Sequence, residues 1–303
     1  MFQRVRDAGP HPVIGVEPVA TARPPAIARV PWEGIELIAL DWGGTGPPLV
    51  LLHPNGFCGG LYEPLALRLA GSRARPIAVD LPGHGQSGVP RTREGFAFRR
   101  MAEGVLAVLD ALGIAHAAAV GGSLGGGVAV LADDLRPGVW DRVLLAEPVA
   151  FPAPTMPPGT PNPMAEGARR RRRRFPDRAS MVARYGSRTP LSELAPEALD
   201  AYVRWGTRGT PDGVELRCDP AVEATIFELS AAPDGAQAAW AHLDRLSCPA
   251  TVVAGRASFL PDVFTAQAER CGGELVIVDG GHFVLHESTD RGAELIGRYA
   301  LAQ

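Results

Sequence analysis

Val120-Gly121-Gly122-Ser123-Leu124-Gly125-Gly126 follows the Ala-rich run 115–120 and opens an apolar stretch reaching about Leu135, so it reads as a tight turn from a strand into a helix. A serine presents its hydroxyl outward from such a turn only if the backbone bends sharply and the flanking positions carry little side chain. Gly121 and Gly125 meet that requirement. The first turn of the helix, beginning at Leu124, offers backbone N–H groups and a positive dipole end to any oxyanion forming beside the hydroxyl. Alone, the heptapeptide fits a flexible glycine turn or a close helix–sheet contact equally well. The surrounding chain has to decide between them.

Outward from this turn, strand and helix signals alternate. Upstream lie Ile35–Leu40, the continuously apolar run Pro48–Leu52, a helical stretch Leu61–Ala70 and the strand Pro76–Val79. An unbroken apolar run of that length suits a strand buried on both faces. Met101, Val105, Val108, Leu109 and Leu112 then recur at helical spacing, with Gly113 in a stop position. Downstream, Pro137-Gly138 ends the helix after Ser123, and the strand Arg142–Ala146 reaches Glu147-Pro148. The pattern resumes at Ala250–Ala254, with a helix near 262–271, the strand Leu275–Val278 and a closing helix from about Asp290 to Ala300. Such alternation predicts parallel crossovers in a doubly wound sheet, whose chemistry collects at the carboxyl ends of its strands.

Between Phe151 and about Leu246 the alternation stops. A Pro-rich linker at 152–163 leads into six consecutive arginines, Arg169–Arg174, and then helical pieces at Pro196–Trp205 and Pro220–Phe227, the latter with Asp219 as N-cap. A mostly helical insertion is expected. The arginine run is expected to be a solvated helix face. Binding of an acidic substrate, a phosphate surface or nucleic acid is the alternative reading of the run.

The 303 residues suffice for one large domain with an insertion. A net charge of -3 gives no global reason to expect nucleic acid, and the chain contains no lysine, so all 30 basic residues are arginine. Cys58, Cys218, Cys248 and Cys271 form no CxxC pair, which argues against a zinc site and fits a reducing cytoplasm. Neither an apolar signal core near Met1 nor an 18-residue apolar window is present, so secretion and a membrane span are not expected.

Four features in order, His53-Pro54-Asn55-Gly56-Phe57, Asp80-Leu81-Pro82-Gly83-His84-Gly85-Gln86-Ser87, Gly121-Gly122-Ser123-Leu124-Gly125 and Gly280-Gly281-His282-Phe283, resemble the α/β-hydrolase family over about residues 30–300 apart from the insertion. The resemblance implies an α/β-hydrolase fold, a mostly parallel doubly wound sheet with a helical cap inserted after the strand ending near Glu147. On that division 1–25 is a surface extension, 26–150 and 247–303 form the core, and 151–246 is the cap. The early loop and the stretch Arg169–Phe227 look most like the branch containing fungal peroxisomal lipases and toxin-biosynthesis hydrolases.

A serine hydroxyl needs a base within hydrogen-bond reach and a third group to orient that base. His282, in a glycine-flanked turn after a strand, is the expected base. His53 and His84 occupy loop positions that in the family brace the site, while His11, His116, His242 and His286 have no comparable placement. The family's usual aspartate, three residues beyond Gly255, is here Ser258. The acid is therefore expected from the end of the preceding strand, at Glu147, with Asp262 as the alternative; Asp279 stands too close in sequence to face the ring. The oxyanion hole is expected from the backbone N–H groups of Leu124 and Asn55. Cys58 reads as a small buried filler, and Asp80 and His84 as structural.

The resemblance implies a serine hydrolase acting on carboxylic ester or lipid-like substrates, with a small apolar ester as partner and no cofactor or metal. Carbon–carbon bond hydrolysis, acyl transfer and a non-catalytic binding role on the same fold stand as alternatives.

Overall fold

The computed structural model of the protein describes residues 5–7, 24–71, 73–152, 160–258 and 260–301. Most of the 1–25 extension and of the 152–163 linker lies outside the described residues. Val5–Asp7 forms a short strand, β1. Next come β2 (Ala26–Trp32), β3 (Ile35–Asp41) and β4 (Pro48–Leu52). A 3-10 turn over Gly59–Tyr62 leads into α1 (Glu63–Leu69), then β5 (Arg75–Asp80), α2 (Phe98–Ala111), β6 (Ala117–Gly122), α3 (Leu124–Leu135) and β7 (Trp140–Ala146).

The inserted segment carries α4 (Pro163–Arg169), β8 (Arg174–Phe175), α5 (Arg178–Tyr185), α6 (Pro196–Trp205), β9 (Thr207–Thr210), β10 (Gly213–Leu216), α7 (Pro220–Ser230) and α8 (Ala236–His242). The chain closes with β11 (Ala250–Gly255), α9 (Pro261–Arg270), β12 (Glu274–Val278) and α10 (Thr289–Tyr299).

The large sheet has the order β1-β12-β11-β7-β6-β4-β5-β3-β2. From β1 to β5 every neighbouring pair is parallel, whereas β3 pairs antiparallel with both β5 and β2. Leu49, Val50, Leu51 and Leu52 are all fully buried, as their unbroken apolar run predicts. Burying each such side chain contributes roughly 2 kcal/mol. On one face α2, α3, α8 and α9 supply Met101, Val105, Val128, Leu131, Ala239 and Phe264. On the other, α1 and α10 supply Leu65, Leu69, Leu295 and Ile296. Helices thus cover both faces, which is the condition for a parallel sheet of apolar strands.

The structure differs from the sequence reading at several points. β1 pairs with β12 through Val5↔Leu275, Arg6↔Val276 and Asp7↔Ile277, so this part of the extension is an edge strand. The insertion is not helical throughout: β8, β10 and β9 form an antiparallel sheet of three strands. Strands of two to four residues are too short to display a hydrophobic period. Five of the six arginines are exposed, as expected, but they do not share one helix face. The helix α4 ends at Arg169, the chain bends into β8, and carboxylates of the insertion take up the charges. Arg169 pairs with Glu228, Arg171 with Glu223, Arg173 with Asp219 at 2.7 Å, and Arg174 with Glu215 at 3.2 Å. The Arg172 guanidinium lies 5.0 Å from the centre of the Phe175 ring. Among the described residues no helix is long and apolar enough to cross a membrane.

The insertion has an apolar cluster of its own, with Phe175, Met181, Tyr185, Leu199, Tyr202 and Leu216. Phe57, Cys58 and Leu61 from the segment after β4, and Phe283 beside His282, belong to the same cluster. That packing fixes the insertion over the carboxyl edge of the large sheet.

Candidate active site

β6, β7, β11 and β12 are parallel neighbours, so residues following their last positions leave the sheet at one edge. Ser123 follows β6, Glu147 follows β7, Ser258 lies three residues beyond β11, and His282 lies four residues beyond β12.

Ser123 has φ 50° and ψ −114°, a conformation that strains any residue with a Cβ. Contacts on both sides impose it. The Ser123 N–H donates to the Ala146 carbonyl at 2.9 Å, and its own carbonyl accepts from Gly126, Gly127 and Val149. Glycine is obligatory on either side. A Cβ on Gly121 would lie 2.5 Å from the Gly125 oxygen, and one on Gly125 would lie 2.1 Å from the Leu52 oxygen. Serine at a helix N-cap ordinarily turns its hydroxyl back onto the helix. Here the Ser123 side chain makes no capping bond.

Glu147 is also held at positive φ, 46°, and its side chain is fully buried. One carboxylate oxygen, Oε1, accepts the Gly255 N–H at 2.9 Å; the other, Oε2, accepts the Ser258 hydroxyl at 3.0 Å and the His282 Nδ1–H at 2.7 Å. The buried carboxylate therefore meets only donors, which compensates its lost hydration. With its proton on Nδ1, the His282 ring presents Nε2 as an acceptor. Ser258, which stands where an aspartate was expected, serves the glutamate instead. Asp262 is exposed on α9, and Asp279 is exposed and bonded to Arg256 at 3.1 Å.

Glu287 holds the His282 turn from below. Its carboxylate accepts the N–H of Gly281 at 2.9 and 3.0 Å and of Phe283 at 3.1 Å, the residues on either side of His282. Burial raises its pKa above the ordinary carboxylate value, and Glu193 and Glu147 act in the same direction. The sequence reading missed this residue, although a glutamate five positions beyond the histidine was the available signal.

Leu124 opens α3, where the first N–H groups have no intrahelical acceptor. At the other candidate donor, the Pro54 carbonyl is held by the Phe57 N–H at 3.2 Å and by His53 Nδ1 at 2.8 Å. Because the peptide is planar and trans, anchoring the Pro54 carbonyl aims the Asn55 N–H the opposite way. His53 completes its pairing by accepting the Leu81 N–H at 3.0 Å. His84 accepts the Gly56 N–H at 3.1 Å and has Pro82 O within 3.2 Å of its Nδ1. Burial lowers the His53 pKa to about 4, and burial together with nearby His53 pushes His84 well below the ordinary value. Both rings are thus neutral braces. Asp80 accepts the N–H of Gly59 and of Gln86, each at 2.7 Å, while burial pushes its pKa up to about 6. Burial raises the Cys58 thiol well above its usual range, leaving it inert at neutral pH.

His286 is a different case. It is buried against Tyr62, with ring centroids 4.8 Å apart, and among the described residues neither ring nitrogen has a hydrogen-bond partner. Burial lowers its pKa to about 3. Between about pH 6.5 and 3 the unfolded chain therefore binds a proton that the folded chain refuses, so this group's contribution to stability falls as pH falls. Asp80 acts in the opposite sense between about pH 4 and 6. We expect His286→Phe to raise the unfolding free energy at pH 7 by about 1–2 kcal/mol, since two unpaired polar atoms disappear. At pH 4.5 the advantage grows by roughly 3 kcal/mol, read from urea unfolding at the two pH values. An unchanged difference between the two pH values would contradict a neutral buried His286.

A model of the family described as "Alpha/beta hydrolase family" matches residues 49–295. The AB hydrolase superfamily protein YisY of Bacillus subtilis is 34% identical over 118 residues, which is 39% of this chain and 43% of that protein. The dihydrolipoyllysine-residue acetyltransferase component of the acetoin cleaving system of Pseudomonas putida is 40% identical over 118 residues, 38% of this chain and 31% of that protein. The chain spans between 31% and 43% of the length of the curated relatives it matches. Among solved structures, the thioesterase domain from the curacin biosynthetic pathway superposes with a TM-score of 0.76 at 22% identity, covering 90% of this chain and 99% of that one. E-2-(acetamidomethylene)succinate hydrolase superposes with a TM-score of 0.73 at 22% identity, covering 91% and 99%. At these identities the superpositions speak for the fold.

Proposed function

The chain belongs to the alpha/beta hydrolase family, and from that premise we propose that it is a serine hydrolase cleaving carboxylic esters through an acyl-enzyme. Ser123 Oγ attacks the carbonyl carbon while His282 Nε2 takes its proton. Glu147 holds the Nδ1–H and stabilises the imidazolium. The carbonyl oxygen becomes an oxyanion held by the N–H groups of Leu124 and Asn55. His282 returns the proton to the departing alkoxide, and water, activated by the same ring, releases the acid.

The observation that carries this reading is the Glu147–His282 hydrogen bond of 2.7 Å at the sheet edge that Ser123 leaves in a strained, uncapping conformation. Residues 151–246 act as the cap. Phe57 and Phe283, buried with ring centroids 5.1 Å apart, make the surroundings of the Asn55 loop and His282 apolar, which is compatible with an apolar ester. Membership of the branch of fungal peroxisomal lipases and toxin-biosynthesis hydrolases is part of the same proposal. The pairing of the arginine run with carboxylates speaks against a phosphate-backbone partner.

Rapid mixing with 4-nitrophenyl esters of graded chain length tests the reading. The expected result is a burst of nitrophenolate approaching one equivalent per chain, followed by slower steady turnover. Carbon–carbon bond hydrolysis and acyl transfer share the acyl-enzyme and separate by product, a cleaved diketone or an ester of an added alcohol. A folded chain with no Ser123-dependent turnover of any ester would leave the non-catalytic alternative standing.

A further inference from the structure

The inserted segment touches the candidate oxyanion loop through polar contacts from two stretches, and a third ties those two together. Asn55 Nδ2 donates to the Glu223 carbonyl of α7 at 2.9 Å. The Tyr202 hydroxyl of α6 donates to the Gly56 carbonyl at 3.1 Å. Arg171, between α4 and β8, donates to the Tyr202 oxygen at 2.7 Å, to the Tyr185 oxygen at 3.2 Å and to Glu223 Oε2 at 2.5 Å. The ion pair lies deep, with 18% of the Arg171 side chain and 8% of that of Glu223 exposed. The contact is also close: Gly56 has φ 78°, and a Cβ there would lie 2.6 Å from Glu223 Cδ and 2.8 Å from Arg171 Nη1.

These bonds complement those from the core. His53 and Phe57 fix the Pro54–Asn55 peptide. The insertion fixes the next groups along the chain, the Asn55 side chain and the Gly56 carbonyl. The core set aims the Asn55 N–H through the Pro54–Asn55 peptide and holds the Gly56 N–H on His84, while the insertion braces the Asn55 side chain and the Gly56 carbonyl, so the turn is held from both sides. We propose that Tyr202 and Arg171 are positioning residues for the oxyanion hole, so that the docked cap holds the loop in its catalytic geometry. The proposal rests on the serine-hydrolase reading. A guanidinium suits the task because its planar fork spreads fixed donors over separate nitrogens, Nη2 serving two phenol oxygens and Nη1 the carboxylate, whereas an ammonium has a single nitrogen.

Displacing an oxyanion donor by about 1 Å costs on the order of 100-fold in rate, while leaving ground-state binding largely intact. Tyr202→Phe removes one hydroxyl and keeps the ring. Its kcat for the best 4-nitrophenyl ester should fall about 10- to 100-fold, with KM changed by less than about twofold and Tm within a few degrees. Inhibition by an aryl trifluoromethyl ketone, which forms an oxyanion on the enzyme, should weaken by the same factor as kcat/KM. Arg171→Lys, which keeps the charge, should show the same selective loss of kcat and serves where Tyr202→Phe does not fold. A folded Tyr202→Phe with wild-type kcat and ketone affinity overturns the proposal alone, as does a loss that falls on KM and Tm together. If the wild-type chain has no Ser123-dependent turnover, the serine-hydrolase reading fails first and carries this proposal with it.

Discussion

Ser123→Ala should lower ester turnover by about a millionfold, the scale seen when a nucleophile is deleted from a serine–histidine–acid unit. In such a unit the base takes the proton of the attacking hydroxyl while the acid holds the base, so loss of the attacking atom leaves only what the oxyanion donors and binding supply. The substitution is conservative for the fold. Ser123 makes no capping bond through its side chain, and alanine meets the same strain at φ 50° as serine does. Tm should therefore change by no more than a few degrees. A variant that keeps more than about a hundredth of wild-type turnover would remove Ser123 from the mechanism.

The second large effect is expected at Glu147. Oε1 and Oε2 face three donors, the Gly255 N–H, the Ser258 hydroxyl and the His282 Nδ1–H. Glutamine keeps the shape but brings an NH2 group to one of these positions. Turned toward Gly255, that group opposes a backbone donor that cannot rotate away. Turned toward His282, it forces the ring to accept at Nδ1 and to carry its proton on Nε2, the tautomer that cannot act as base. We expect Glu147→Gln to reduce kcat by about 10,000-fold, as in the equivalent carboxylate-to-amide exchange in other triads. Asp262→Asn, at an exposed position on α9, should stay within twofold of wild type. Equal losses at the two positions, or a loss at Asp262 alone, would move the acid away from Glu147.

The order of the longer elements was legible because each carried a local signal strong enough to stand without tertiary context. The helix α6 begins at Pro196, ends at Trp205 and is closed by Gly206, and α7 begins with the Asp219 side chain accepting from Ala221 ahead of a proline in the first turn. Gly113, with φ 67°, ends α2 as its position suggests. Short pieces were not legible: β1 has three residues and β8 two, fewer than a period needs.

The site divides in the same way. Glu147 and His282 stand 135 residues apart, yet each sits beside a strand end whose motif could be read, and the structure joins them. The partners of Glu147, Asn55 and Gly56 depend on which loops meet in space. Ser258 could be seen as a departure but not as a donor to the glutamate, and Tyr202 had no feature to distinguish it from a core aromatic. The arginine run misled for a related reason. Six like charges in sequence suggest one solvated helix face; five of them are exposed, but the run leaves the helix at Arg169 and meets carboxylates up to 59 residues away.

The most direct test of Ser123 as a nucleophile oriented through His282 and Glu147 is covalent. The chain is incubated with a fluorophosphonate, and the adduct is located by intact-mass measurement and peptide mapping. One adduct per chain is expected, on the peptide containing Ser123, absent in Ser123→Ala and formed far more slowly in Glu147→Gln. An adduct at unchanged stoichiometry in Ser123→Ala, or ester turnover by a wild-type chain that takes up no label, would contradict the account.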